Sequence, residues 1–417
     1  MPSSVGGTGG NTLGRVTRLN IHGIATGGDG VGRADDGRVV FVPGALPGEV
    51  VEVEITETRK RFARAEILSV VEAAPGRRTE PCRHLAEGCG GCDLQHADVA
   101  TQRALKLDIV RDCLERIGRL DDPTVEPAGA VAPESYRTTI RVAVDGGQAG
   151  HRARSSHRVI LTPECLIAHP TLRRVLAEGS FGGAAEVFAR VSEATGELLV
   201  VVSPTASDSS CPGGTVVGVD EVTAGAAASL VEEIAGTRFR VSARSFLQSS
   251  PAAATLLVDE VRRIAGEVQP RSLADLYGGI GVFAATVPVP GRVIMVEQNA
   301  SAVADARVNL GGLDGPVEIV DSKVERWRPE HVDLVIADPA RAGLGRTGVE
   351  VVVGTEAADI ALVSCDPGSL GRDAGLLVGA GYRLVSSRVV DVFPQTSHVE
   401  VVSHFTRSDG VNRPLSP

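Results

Sequence analysis

The residues with the most reactive chemistry lie at what read as strand ends. In Ala361-Leu362-Val363-Ser364-Cys365-Asp366-Pro367-Gly368, the apolar run from Ile360 to Val363 reads as a buried parallel strand, broken by Pro367 and Gly368. Cys365 then stands at the carboxyl end of a strand, where open α/β sheets bind their ligands. A thiol there is either a small apolar filler or a nucleophile. Acids accompany it: Glu297 closes one strand, Asp338 of Asp338-Pro339 closes another, and Glu400 ends an acid-bearing segment. An acid following a glycine-rich turn suits the hydroxyls of a ribose; an acid at a strand end is otherwise a helix cap. The turn itself is Asp275-Leu276-Tyr277-Gly278-Gly279-Ile280-Gly281, whose glycines let backbone N–H groups approach a ligand before the next helix.

A second group is Cys82, Cys89 and Cys92, set in Pro81-Cys82-Arg83-His84-Leu85-Ala86-Glu87-Gly88-Cys89-Gly90-Gly91-Cys92, with Cys165 far downstream. Two thiolates on a glycine-rich loop converge readily on one centre, and Cys165 would complete a four-thiolate set. Zinc and an iron–sulfur cluster both accept that set, so spacing leaves both open. Seven cysteines in a chain without a secretion pattern do not describe a disulfide framework. Cys113 and Cys211 read as structural.

These groups need elements to hold them. The chain has 417 residues, enough for two or three domains, each burying a core. No apolar run approaches the ~20 residues of a membrane span, so a cytoplasmic protein without membrane contact is expected. Residues 1–11 read as a disordered leader. From 12 to 73, short alternating strands with Gly and Pro turns read as an oligonucleotide-binding-like β-barrel. Residues 74–241 hold the cysteine cluster, a connecting helix from Val99 to Ile117, and an α+β central domain with an antiparallel sheet. Residues 242–417 alternate strands and helices in the rhythm of a doubly wound, Rossmann-like sheet. The net charge of −10 argues against general polyanion binding. Basic residues nonetheless cluster at Arg59-Lys60-Arg61-Phe62-Ala63-Arg64 and recur through Arg137, Arg141, Arg152, Arg154 and Arg158, marking candidate RNA-facing surfaces.

Gly23-Ile24-Ala25, Gly28-Asp29-Gly30-Val31-Gly32 and Val39 to Glu49 resemble a TRAM domain, a module that accompanies RNA-modifying enzymes and binds RNA. Over nearly its whole length the chain resembles the class I S-adenosylmethionine-dependent RNA uracil-C5 methyltransferases of the 23S rRNA type. The motifs are Ser245-Phe246-Leu247-Gln248, Asp275 to Gly281, Asp338-Pro339-Ala340-Arg341-Ala342-Gly343, Ser364-Cys365-Asp366-Pro367 and Phe393-Pro394-Gln395-Thr396-Ser397-His398-Val399-Glu400. The resemblance implies that residues 242–417 form the methyltransferase sheet. It also implies that Gln248, Tyr277, Glu297 and Asp338 bind S-adenosylmethionine, that Cys365 is the nucleophile, and that Glu400 is the general base. Cys82, Cys89, Cys92 and Cys165 would hold a [4Fe-4S] cluster. The implied partner is RNA, specifically 23S rRNA, with no obligate protein partner.

Three positions depart from the family pattern. The first cysteine gap is one residue longer than expected, Gly278 replaces a common Cys, and Asp366 replaces the usual Asn beside the nucleophile. Asp366 is expected to alter substrate hydrogen bonding or to raise the neighbouring thiol pKa. Two alternatives remain open: a tRNA uridine-C5 methyltransferase, and a non-catalytic RNA-binding or assembly factor that keeps the fold.

Overall fold

Apolar residues at every second position turn inward at the start of the chain: Leu19, Ile21, Val40, Val42, Val51, Val53 and Ile55 are all buried in one core. The computed structural model describes residues 14–408, so the expected leader at 1–11 lies outside the described residues. The strands Val16–Ile24, Gly30–Arg33, Val39–Val42, Val50–Thr58 and Phe62–Glu72 close into a five-stranded barrel. Gly30–Arg33 is a short strand. A Cβ on Gly30 would lie 2.7 Å from the Ala45 carbonyl oxygen, so the glycine lets two chains approach.

The central sheet has six strands, ordered Gly214–Gly218, Leu198–Ser203, Glu186–Val191, Thr139–Asp145, Gln148–Arg152, Val159–Leu161. Its neighbours are antiparallel as expected except Leu198–Ser203 and Gly214–Gly218, which run parallel. Helix Pro170–Glu178 covers one face through Leu172, Val175 and Leu176.

The C-terminal sheet has eight strands, in the order Val317–Asp321, Val293–Glu297, Leu273–Leu276, Leu334–Ala337, Asp359–Ser364, Glu400–Arg407, Tyr382–Asp391, Val125–Ala130. Glu400–Arg407 alone runs against its neighbours. Leu273, Met295, Ile336 and Val363 face a core shared with helix Pro251–Val268. Leu276, Val296, Val335 and Leu362 face the opposite core, shared with helices Val99–Arg116 and Pro367–Gly379. Burial on both faces explains why these strands read as continuous apolar runs. Strand Val125–Ala130, from the stretch between barrel and central sheet, extends this sheet by pairing parallel with Tyr382–Asp391. Helix Val99–Arg116 packs tightly against helix Pro367–Gly379: a Cβ on Gly371 would stand 2.4 Å from the Cys113 carbonyl oxygen. No helix among the described residues is long and apolar enough to cross a membrane.

Candidate active site

Strand register brings the reactive residues to one edge. Leu276 pairs with Ala337, and Ala337 with Leu362, so Tyr277, Asp338 and Cys365 all lie beyond the carboxyl ends of adjacent parallel strands. Glu297 is the last residue of the next strand out. Ser364 pairs with Val401 in antiparallel register, which places Cys365 and Glu400 opposite each other, one position beyond that rung. Gln248 joins the same rim from the other side, because the hydroxyl of its neighbour Ser249 donates to the Val392 carbonyl at 3.1 Å.

The electrostatics follow from that convergence. Cys365 is half-buried, and its thiol is pushed up to about 11, first by burial, then by Glu400 and Asp338, against the opposing pull of Arg341. Glu400 is 3% exposed, and its Oε2 has no hydrogen-bond partner among the described residues. Burial holds its carboxyl well above the usual range, with Asp338 adding to the rise and Arg341 opposing it. Asp338 is pushed up to about 7 by burial. Asp366 Oδ1 accepts from the Ser369 amide at 2.7 Å and caps helix Pro367–Gly379. The acids pressing on the Cys365 thiol are Glu400 and Asp338.

In the glycine-rich turn, Asp275 is fully buried. Its Oδ2 accepts from the Ala284 amide at 3.0 Å while Oδ1 has no partner. Burial, then Asp338 and Glu297, push its carboxyl up to about 7. Tyr277 adopts a φ of +60° and donates its hydroxyl to Glu325 Oε1 at 2.9 Å. Glu297 braces the turn: Oε2 accepts from the Gly279 amide at 3.0 Å, and Oε1 from the Gln298 and Asn299 amides at 2.7 and 2.6 Å. A Cβ on Gly278 would come within 2.6 Å of Met295 Cγ, so the local packing suits glycine. Gln248 Oε1, Asp275 Oδ1 and Glu400 Oε2 are thus buried acceptors without partners among the described residues, atoms that a bound ligand would satisfy.

The turn entering Glu400 is held by residues that sequence reading left out. Gln395, at a φ of +70°, donates its amide to Gln102 Oε1 at 2.8 Å, and its side-chain oxygen accepts from Gln102 Nε2 and Arg78 Nη2 at 3.0 and 2.9 Å. Lys106 Nζ donates to Asp391 Oδ1 at 2.6 Å and to the Phe393 carbonyl at 2.9 Å. Along this connecting helix Gln102 and Lys106 are buried, while Ile117, at its end, is exposed. The signal was their spacing: positions 102, 106, 110 and 114 share one face, two polar and two apolar.

The cysteines converge as well. Cys82, Cys89, Cys92 and Cys165 are free thiols; burial, and then neighbouring thiols of the set, raise the pKa of Cys89, Cys92 and Cys165. Cys92 is pushed up to about 12. The longer first gap is absorbed by a single tight turn, Arg83–Leu85, after which Cys89 donates its amide to the His84 carbonyl at 2.9 Å. Among the described residues, no three His, Cys, Asp or Glu side chains stand in the arrangement that would hold one metal ion.

Some basic residues of the expected RNA-facing stretches are paired with acids within the protein. Arg141 meets Glu186 at 2.6 Å, Arg64 meets Asp29 at 3.2 Å, and Arg154 lies 3.6 Å from Asp29.

A family profile for the TRAM domain matches residues 11–68. A protein of Streptomyces avermitilis described as an "Uncharacterized RNA methyltransferase" is 34% identical over 431 residues, covering 94% of this chain and 98% of that protein. The 23S rRNA (uracil(1939)-C(5))-methyltransferase RlmD of Methylococcus capsulatus is 33% identical, covering 93% of this chain and 96% of its own. The crystal structure of Pyrococcus abyssi tRNA (uracil-54, C5)-methyltransferase in complex with S-adenosyl-L-homocysteine shares the fold. Its TM-score is 0.71 at 22% identity, covering 94% of this chain and all of that one.

Proposed function

The chain belongs to the RNA methyltransferase family of these relatives, and from that premise we propose that it methylates C5 of a uridine in RNA through a covalent bond between Cys365 and C6. The observation that carries this reading is the Ser364–Val401 register, which brings a strand-end thiol beside a buried acid with an unsatisfied oxygen. Uracil C5 is a weak nucleophile. Addition of the Cys365 thiolate to C6 moves electron density to C5 and splits a hard step into easier ones. S-Adenosylmethionine, when bound, supplies the methyl group that C5 takes up. Glu400 then removes the C5 proton; that electron pair re-forms the C5–C6 double bond and Cys365 leaves as a thiolate. An acid held above its usual pKa by burial suits this role, because its conjugate base is strong enough to accept a carbon-bound proton. Arg341, the cation acting on both groups, offsets the negative charge that develops there.

Gln248, Tyr277, Glu297 and Asp338 fit the cofactor's place at the carboxyl edge. The glycine turn and the unpartnered oxygens of Gln248 and Asp275 support that placement. The four free thiols have the donor chemistry of a [4Fe-4S] site, with zinc the other metal that set accepts. Both faces of C5–C6 are covered in a stacked helix, so the uridine must be unstacked or flipped outward. The likeness to RlmD supports 23S rRNA as the target, and tRNA is the alternative.

The test is methyl transfer from radiolabelled S-adenosylmethionine to RNA from a strain lacking the gene, with the product identified as 5-methyluridine. Cys365→Ala is expected to abolish turnover while holding cofactor affinity within a few-fold. Glu400→Gln is expected to trap an RNA–protein bond that survives denaturing gels. Turnover retained in Cys365→Ala would reject the covalent route.

A further inference from the structure

Where barrel, cysteine loop and C-terminal sheet meet, three residues touch. Asp93, next to Cys92, accepts from the Ser397 amide through Oδ1 at 2.6 Å and from the Ser397 hydroxyl through Oδ2 at 2.7 Å. Its own amide donates to the Gln395 carbonyl at 3.2 Å. Ser397 is buried and lies three residues before Glu400. From the barrel, Gly28 sits at the tip of the hairpin joining Val16–Ile24 to Gly30–Arg33, at a φ of +81°. A Cβ there would lie 3.0 Å from Ser397 Cβ and 3.3 Å from Asp93 Oδ2. Asp29 ties the same tip to Arg154 at 3.6 Å, beside the cysteine loop, where the Gly90 amide donates to the Arg152 carbonyl.

We propose that Asp93 is a positioning residue for Glu400: it fixes the turn that delivers the acid, and the barrel tip at Gly28 backs that grip. The inference rests on the covalent reaction proposed above and assigns the junction to one step of it. Two charge-assisted hydrogen bonds converge on a single residue of a turn whose other contacts reach Gln102 and Lys106. Loosening them leaves Cys365, on its own strand end, and the glycine turn where they are. Addition and methyl uptake then proceed, and proton removal from C5 lags. The barrel thereby has a mechanical route to the last chemical step, separate from any grip it has on RNA.

The test uses the full-length chain with RNA from the gene-deleted strain and radiolabelled S-adenosylmethionine. Asp93→Ala and Gly28→Ala are each expected to lower steady-state kcat by about tenfold or more, the scale set by a sub-ångström to ångström misplacement of a reacting group. Both are expected to raise several-fold the fraction of RNA bonded to protein under denaturing conditions. Single-turnover methyl uptake and cofactor affinity should stay within about twofold of the parent, because those steps precede Glu400's action. Asp93→Asn retains an acceptor for the Ser397 amide and should recover most of the rate. Gly28 is not among the cluster thiols, so Gly28→Ala decides the matter even where Asp93→Ala loses iron or folds poorly. Loss of methyl uptake in step with kcat, or unchanged kinetics in Gly28→Ala, overturns the positioning role. If Glu400→Gln traps the bonded RNA and Asp93→Ala and Gly28→Ala do not, only this inference falls. If Glu400→Gln traps nothing, the covalent reaction falls and takes this inference with it.

Discussion

The ammonium of Lys106, without solvent exposure, lies 2.6 Å from Oδ1 of Asp391, joining the connecting helix to the strand that precedes the Glu400 turn. Arg103 reaches the other oxygen of Asp391 from a more exposed position, at 3.2 Å. Removing one partner of a buried ion pair strands the other, so Lys106→Met should destabilise the fold by about 3–5 kcal/mol. Adding Asp391→Asn should recover part of that loss. Chemical denaturation of the single and double variants measures both; equal stability of Lys106→Met and parent would show that Arg103 alone satisfies Asp391.

The Cys365 thiol, held near 11 by burial and then by two acids, should react slowly with iodoacetamide at pH 8 and faster as pH rises toward its pKa. Glu400→Gln removes a neighbouring negative charge, which lowers the thiol pKa. Alkylation at pH 8 should then accelerate by about two- to tenfold, a tenfold gain corresponding to one pKa unit. Peptide mass spectrometry at Cys365 follows the rate. A slower reaction in the variant would contradict the sign of that interaction.

Asp366 serves its helix, so Asp366→Asn, which also caps, should leave stability within about 0.5 kcal/mol, whereas Asp366→Ala should cost about 1 kcal/mol. Alkylation of Cys365 in Asp366→Asn should match the parent. A marked change in thiol reactivity would restore the direct electrostatic role expected from the sequence.

Protein purified without oxygen should be brown and carry about four iron and four sulfide per chain, as a four-thiolate cubane requires. Cys165→Ser should lose most of that iron, since it removes the ligand farthest away in sequence. One zinc per chain without iron would reject the cluster.

Much of the C-terminal sheet was legible because strands buried on both faces read as unbroken apolar runs, and Val293–Glu297 carries the bounds its sequence suggests. Glu400–Arg407 was hidden for the opposite reason. Its run Val401-Val402 is interrupted by Ser403 and His404, both buried. Ser403 meets the Ser387 hydroxyl at 2.8 Å, and His404 Nε2 meets Asp359 Oδ1 at 2.9 Å. A strand whose polar residues find buried partners leaves no period to read. Cys365 and Glu400 were visible as separate residues; their adjacency is a property of register, which emerges only once that strand is paired. Asp93, Gln102 and Lys106 were hidden because their partners lie some three hundred residues away along the chain.

One reversed strand in a sheet of otherwise parallel ones presents its beginning, where the others present their ends, to the substrate crevice. Glu400 is that beginning, and ladder neighbours flank it on both sides, Val390 across one gap and the Ser364–Val401 rung across the other. Its backbone is paired on one side and free to follow the entering turn on the other. If Glu400 acts as proposed above, the nucleotide has to be carried to the acid, and the accuracy of that delivery falls both to this turn and to the surfaces that grip the RNA.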